Sequence, residues 1–206
     1  MLFDTLALIS VLCIITLLKR MMNIFPSHMA CMVRWKENIN LQISMKTRTD
    51  RNLLAGALLI PFCLTVFRFR VYCPEFMADM PQNARLGITF GVFAAYIAIR
   101  TACRYLFRIH KTSASTYEAA TDSVRTYFII LAFLLIATGG ILSFTGVAPE
   151  HIKTAMIWIS GAMYLVFVIR KTQIFRSSCS LFVSFLYLCA LEILPTGVLI
   201  ASAVIF

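Results

Sequence analysis

The sequence predicts an all-α integral membrane protein, a bundle of about six transmembrane helices forming a single membrane domain over residues 1–206. Of the 206 residues, 60% are hydrophobic and only 14% are charged, and the mean hydropathy is +0.85. A soluble domain is about 45–50% apolar and about 25% charged, so this chain has too little polar surface to cover a water-facing core. The net charge of +10 raises the question of nucleic acid, but the charges fall in short segments between apolar runs. That pattern fits loops holding helices in a bilayer, and no nucleic-acid partner is expected.

Crossing about 30 Å of hydrocarbon takes ~20 mostly apolar residues in a helix. Six segments meet that length, near 2–18, 52–72, 84–107, 124–146, 152–169 and 181–206. The first resembles a signal peptide only in its position. Its charge order is reversed, with Asp4 ahead of the apolar run and Lys19 and Arg20 behind it, which predicts a helix inserted with its N-terminus outside. The connection over 19–51 is long enough to hold structure of its own. There Met32, Trp35, Ile39 and Ile43 recur at helical spacing among Arg34, Glu37, Asn38 and Lys46. A basic amphipathic helix on the cytoplasmic leaflet with Trp35 at headgroup level fits this pattern. An irregular loop tucked under the bundle fits it equally.

In the second segment Pro61 removes a backbone donor and clashes with the carbonyl of Ala57, which predicts a kink. In the third, Gly87, Gly91 and Ala95 stand four apart and are read as a helix-packing face inside the bundle. Arg100, Arg104 and Arg108 share one face near the cytoplasmic end of the same helix. They are expected to contact anionic lipid headgroups, or more simply to snorkel to the interface and fix topology. Ser115-Thr116-Tyr117-Glu118 fits a capping box and predicts that the fourth helix begins before the membrane. Gly139 and Ser143 give that helix a weaker version of the small-residue stripe.

The last segment carries Glu192 in the middle of an apolar run, 181–206, that holds no other formal charge. A charge at the bilayer centre costs about 2.5–3.5 kcal/mol on insertion scales, so Glu192 is expected to face the bundle interior, be protonated or have a partner. Arg100 is the nearest candidate by depth. Pro195 frees the carbonyl of Leu191 beside it, so Glu192, Pro195 and Arg100 make a candidate intramembrane polar site. If the carboxyl has a structural role, Glu192→Gln is expected to be tolerated far better than Glu192→Leu.

Six spans create seven exposed segments that alternate sides. The odd-numbered connections hold Lys19, Arg20, Arg34, Lys36, Lys46, Arg48, Arg51, then Arg100, Arg104, Arg108, Lys111, Arg125, then Arg170, Lys171 and Arg176. These are fifteen of the 19 basic residues, against four on the other side: Arg68, Arg70, Arg85 and Lys153. Positive charge collects in the cytoplasm, which puts both termini on the non-cytoplasmic side. The same count argues for a full second span rather than a re-entrant one.

No pair among the seven cysteines is spaced CxxC, and His28, His110 and His151 are far apart, so no metal site is expected. HExxH, GxSxG, Walker A and GxGxxG patterns are absent, and neither catalytic residues nor a cofactor are assigned.

The run Phe185-Leu186-Tyr187-Leu188-Cys189-Ala190-Leu191-Glu192-Ile193-Leu194-Pro195 resembles the last helix of a bacterial membrane family described as domain of unknown function 4271, found in the Bacteroidota. The resemblance implies a location in the bacterial inner membrane. It brings no activity with it. The leading expectation for function is a non-enzymatic structural or partner-binding envelope component, in contact with the bilayer and with a membrane-protein partner. The alternatives are a small transporter or channel using Glu192, and an intramembrane enzyme acting on lipid.

Overall fold

The computed structural model describes residues 2–34, 37, 45–77, 79–106, 114–176 and 181–205, and the regular elements among them are all helical. They are α1 (Leu2–Val33), α2 (Met45–Arg68), a short 3-10 turn (Glu75–Met77), α3 (Gln82–Leu106), α4 (Ala114–Phe144), α5 (Pro149–Arg176), α6 (Leu181–Leu188), a π-helical turn (Cys189–Ile193) and α7 (Leu194–Ile205). The run α6–π turn–α7 is continuous, so six helical rods are long and apolar enough to cross a membrane. The protein is a helical membrane bundle.

Several helices run past the apolar segments seen in the sequence. Lys19 and Arg20 lie inside α1, Glu118 and Asp122 inside α4, and Arg170 and Lys171 inside α5. A helix satisfies its own backbone donors, so it has no reason to end at the edge of the hydrocarbon. The start of α4 at Ala114 falls within a residue of the capping-box pattern at Ser115. In the first connection, Trp35, Ile39 and Ile43 of the expected amphipathic helix lie outside the described residues, while Met32 belongs to the end of α1.

Helices α2, α4, α5, the α6–α7 rod and α3 pack in sequence around one axis, with α3 returning against α2. Helix α1 lies outside this group. Its first part runs along α2, with Phe3 against Phe67 at 6.0 Å between ring centroids and Arg20 on Asp50 at 3.1 Å. Its last part packs on α4 and α5, where Phe25 meets Phe133 edge-on at 5.4 Å and the Tyr127 hydroxyl donates to the Cys31 carbonyl at 3.1 Å. Pro61 sits within α2, and the Thr65 hydroxyl donates to its carbonyl at 2.8 Å.

The distribution of side chains is that of a protein solvated by lipid. Trp158, Leu165, Phe182 and Ile200 point outward, while Arg51, Asp122, Lys171 and Glu192 are buried. The apolar core lies between α2, α4 and their neighbours, centred on Leu58, Phe62, Ile129, Leu135 and Met156. There the Phe62 ring packs edge-on to Phe93 and Phe128, each at 5.2 Å.

The small-residue stripe of α3 does not serve this packing. Gly87, Gly91 and Ala95 are exposed, and a Cβ built on either glycine meets open space, so the expectation of a packing face inside the bundle is corrected. Four-residue spacing places residues on one face without saying which way that face points. Close approach occurs instead at Gly139 of α4, where a Cβ would stand 2.6 Å from Met156 Cε and 2.8 Å from Phe69 Cε2.

Helix α2 closes with a Schellman arrangement, in which Val71 N–H donates to the Val66 carbonyl at 3.0 Å and Arg70 N–H to that of Phe67 at 3.2 Å. Arg70 takes the left-handed position with φ of 50°, where glycine is the usual occupant and a residue bearing a Cβ costs about 1–2 kcal/mol.

Gly139→Ala is expected to destabilise the protein in detergent by about 1–3 kcal/mol, since the Phe69 ring has to move. Gly91→Ala is expected to leave stability unchanged or raise it by up to about 1 kcal/mol through helix propensity. Thermal unfolding of the two variants side by side measures this, and equal losses would contradict the assignment of the two faces.

Candidate functional site

The buried charges gather into two clusters in the same half of the bundle, near the ends of α3 and α5. The first centres on Glu192, whose side chain is 1% exposed. Arg100 Nη2 of α3 binds its Oε2, and Lys171 Nζ of α5 binds its Oε1. Both oxygens are therefore committed, each to a different helix. Aromatic side chains enclose the cations: the Arg100 guanidinium lies 5.9 Å from the Tyr96 ring and 5.6 Å from that of Phe167. The Lys171 ammonium lies 5.6 Å from the Phe167 ring and 5.8 Å from that of Phe175. Arg100 Nη1 also donates to the Tyr96 hydroxyl at 3.1 Å, and that hydroxyl meets Thr196 Oγ1 at 3.2 Å. Such stacking on ring faces suits a desolvated cation.

Glu192 sits in the π-helical turn, where Leu194 N–H reaches back five residues to the Cys189 carbonyl. Pro195 follows directly. Its ring crowds the carbonyl of the preceding turn, and a wider turn relieves that contact. The added width also shifts the register of the rod, with Glu192 and Leu191 buried and Ile193 and Leu194 exposed on the other side.

The second cluster centres on Asp122 of α4. Arg51 Nη2 binds its Oδ2 at 3.0 Å, with both side chains 1% exposed. Arg125 Nη1 binds Oδ1 at 2.9 Å. Arg104 Nη1 approaches Oδ1 at 3.6 Å and Arg48 Nε approaches Oδ2 at 3.7 Å. Arg48 also reaches Glu118 at 3.8 Å. Nearby, both ring nitrogens of buried His28, Arg51 Nε and Thr126 Oγ1 are buried without a hydrogen-bond partner.

Helix α3 thus supplies one arginine to each carboxylate from positions one turn apart. Arg100 and Arg104, read in sequence as a face toward lipid, direct their guanidinium groups to Glu192 and Asp122. Arg108 lies outside the described residues. Lys171, Asp122 and Arg51 were not singled out in the sequence because charges near the end of an apolar run read as loop charges. A signal was present. Lys171 stands four residues after Phe167 and three before Ile174, so it interrupts an apolar stripe at helical spacing. Asp122 lies three residues after Ala119 and four before Thr126, on a face of small residues.

A family model described as Domain of unknown function (DUF4271) matches residues 4–202, nearly the whole chain and not the last helix alone. No curated protein and no solved structure matches.

The pairing changes what is expected of Glu192. Near-neutral behaviour of Glu192→Gln requires a carboxyl without a charged partner, whereas here either Gln or Leu leaves Arg100 and Lys171 without their counter-ion. Removing one side of a buried pair costs about 3–5 kcal/mol. Both single variants are expected to lose stability, Gln less than Leu because it keeps a hydrogen-bond acceptor, and Lys171→Met added to Glu192→Gln is expected to recover part of the loss. Unfolding titrations in mixed detergent read these differences. A Gln variant as stable as the parent would show that the carboxyl carries no charge in the bundle.

Proposed function

We propose that this chain, which belongs to the DUF4271 family, is a non-enzymatic multi-pass component of a bacterial inner membrane, with both termini outside the cytoplasm, that binds anionic headgroups or an acidic partner at its cytoplasmic end. One observation carries the reading. Six cations, Arg48, Arg51, Arg100, Arg104, Arg125 and Lys171, surround three carboxylates, Glu118, Asp122 and Glu192.

The carboxylates tie helices together, and a surplus of positive charge is left over. Arg51 and Lys171 are internal, but the side chains of Arg48, Arg104 and Arg125 are 43%, 30% and 39% exposed. The surplus therefore reaches the surface. Positive charge at this depth attracts anionic lipid, at about 1 kcal/mol per exposed cation. The same charges supply the positive-inside bias behind the proposed orientation.

A second reading, a small transporter or channel working through Glu192, draws on the π-helical turn beside Pro195, since such turns recur at functional positions. Two results separate the readings. If the carboxylate is a structural tie, exchanging the charges of Arg100 and Glu192 is expected to recover part of the stability lost in Glu192→Arg alone, since the exchange leaves Lys171 beside a second cation. If it couples transport, the exchanged protein folds but loses its cellular function.

Reporter fusions after Phe206 are expected to be active when the reporter requires export and silent when it requires the cytoplasm, and the reverse pattern overturns the orientation. In native mass spectrometry from mixed-lipid nanodiscs, neutralising Arg48, Arg104 and Arg125 together is expected to reduce retained anionic lipid or a co-purifying protein. Unchanged retention would remove the support for the headgroup reading.

A further inference from the structure

The opposite ends of α2 and α3 line a half-open pocket of about 230 Å³, in which Arg68 and Arg70 are exposed and Arg85 is half-buried. It lies ~25 Å along α2 from Arg51, at 1.5 Å per residue. The guanidinium-bearing residues Arg68, Arg70 and Arg85 line it, and none of the three forms an ion pair among the described residues.

Three independent features mark this cavity as built rather than incidental. These arginines are three of only four basic residues in the even-numbered connections. Cations there run against the charge bias that orients the chain, and their convergence on one cavity supplies a local reason for them. Arg85 is half-buried, but its Nε is buried and has no hydrogen-bond partner, although a buried donor normally has one. Arg70, lastly, holds the left-handed φ of 50° at the end of α2, so the chain keeps an arginine where glycine is conformationally easier.

The walls are fixed. Tyr72 is buried with its hydroxyl 3.0 Å from Ser202 Oγ. Thr89 is fully buried and donates to the Arg85 carbonyl at 2.9 Å. Three guanidinium groups without ion-pair partners among the described residues suit a tetrahedral phosphate better than a carboxylate, because their planar forks meet phosphate oxygens two at a time.

We infer that this cavity is a phosphate-binding site, taking a phosphoryl group that is either free or the headgroup phosphate of a lipid. The test uses the full chain. In one arm, inorganic phosphate is titrated calorimetrically into the protein in a maltoside detergent, which carries no phosphate group. In the other, nanodiscs containing phosphatidylglycerol are read by native mass spectrometry for retained lipid. Binding in the first arm assigns the free anion, and retention confined to the second assigns the headgroup.

In whichever arm binds, Arg85→Gln is expected to weaken binding about tenfold or more, as for loss of a charge-assisted hydrogen bond. Arg70→Gly is expected to weaken binding while leaving thermal stability unchanged or raised, which separates a binding defect from a folding defect. No binding of the unaltered chain in either arm, or binding that survives both substitutions, overturns the inference.

Discussion

Glu192 is held on both oxygens, by Arg100 from α3 and Lys171 from α5, with its own side chain and that of Lys171 buried. An unpaired charge in that position costs about 2.5–3.5 kcal/mol even on the mildest insertion scale. Satisfying it fixes three rods relative to one another. Once α3 is set by Arg100, its next turn delivers Arg104 toward Asp122, and Asp122 in turn fixes α2 through Arg51. Position along each helix axis is thereby specified by charge, which apolar packing against lipid-like neighbours does poorly. A buried ion pair is weak evidence for net stability, but it discriminates strongly between registers.

The other half of the bundle works by contact rather than charge. There the Phe62, Phe93 and Phe128 rings interlock and Gly139 admits Phe69 and Met156. The same helices therefore carry two kinds of constraint, polar ties at one end and close apolar fit toward the other. Helix α1 lies against the outside of the group and takes part in both: Ile24 joins the apolar core, Arg20 pairs with Asp50 of α2, and around Cys31 and Met32 its last turns are hydrogen-bonded to α4 and α5.

Much of the fold is legible in the sequence because hydropathy over ~20 residues measures the property a bilayer selects. Glu192 stands out for the same reason, as a formal charge where lipid tolerates none. Its partner Lys171 and the pair Arg51–Asp122 do not, because a charge a few residues from the end of an apolar run has the same local pattern whether it lies in a loop or in a helix that continues. The direction of a helix face is likewise unreadable when both faces are apolar. Gly87, Gly91 and Ala95 therefore look like a packing stripe and prove to face outward, while the isolated Gly139 is the close contact. The burial of His28 is not legible because it lies beyond the first apolar run, in a part of α1 that the sequence presents as a loop.

The order in which the chain is made gives the Glu192 pairing a further meaning. Arg100 precedes Glu192 by 92 residues and Lys171 precedes it by 21, so during synthesis both cations enter the membrane before their carboxylate exists. Each lies within two turns of the described end of its helix, close enough for a long side chain to reach the interface and wait there hydrated. The α6–α7 rod brings the carboxylate that pairs with both. The three-way tie between α3, α5 and this rod can therefore form only after Glu192 has been made, and until then Arg100 and Lys171 lack the counter-ion they share.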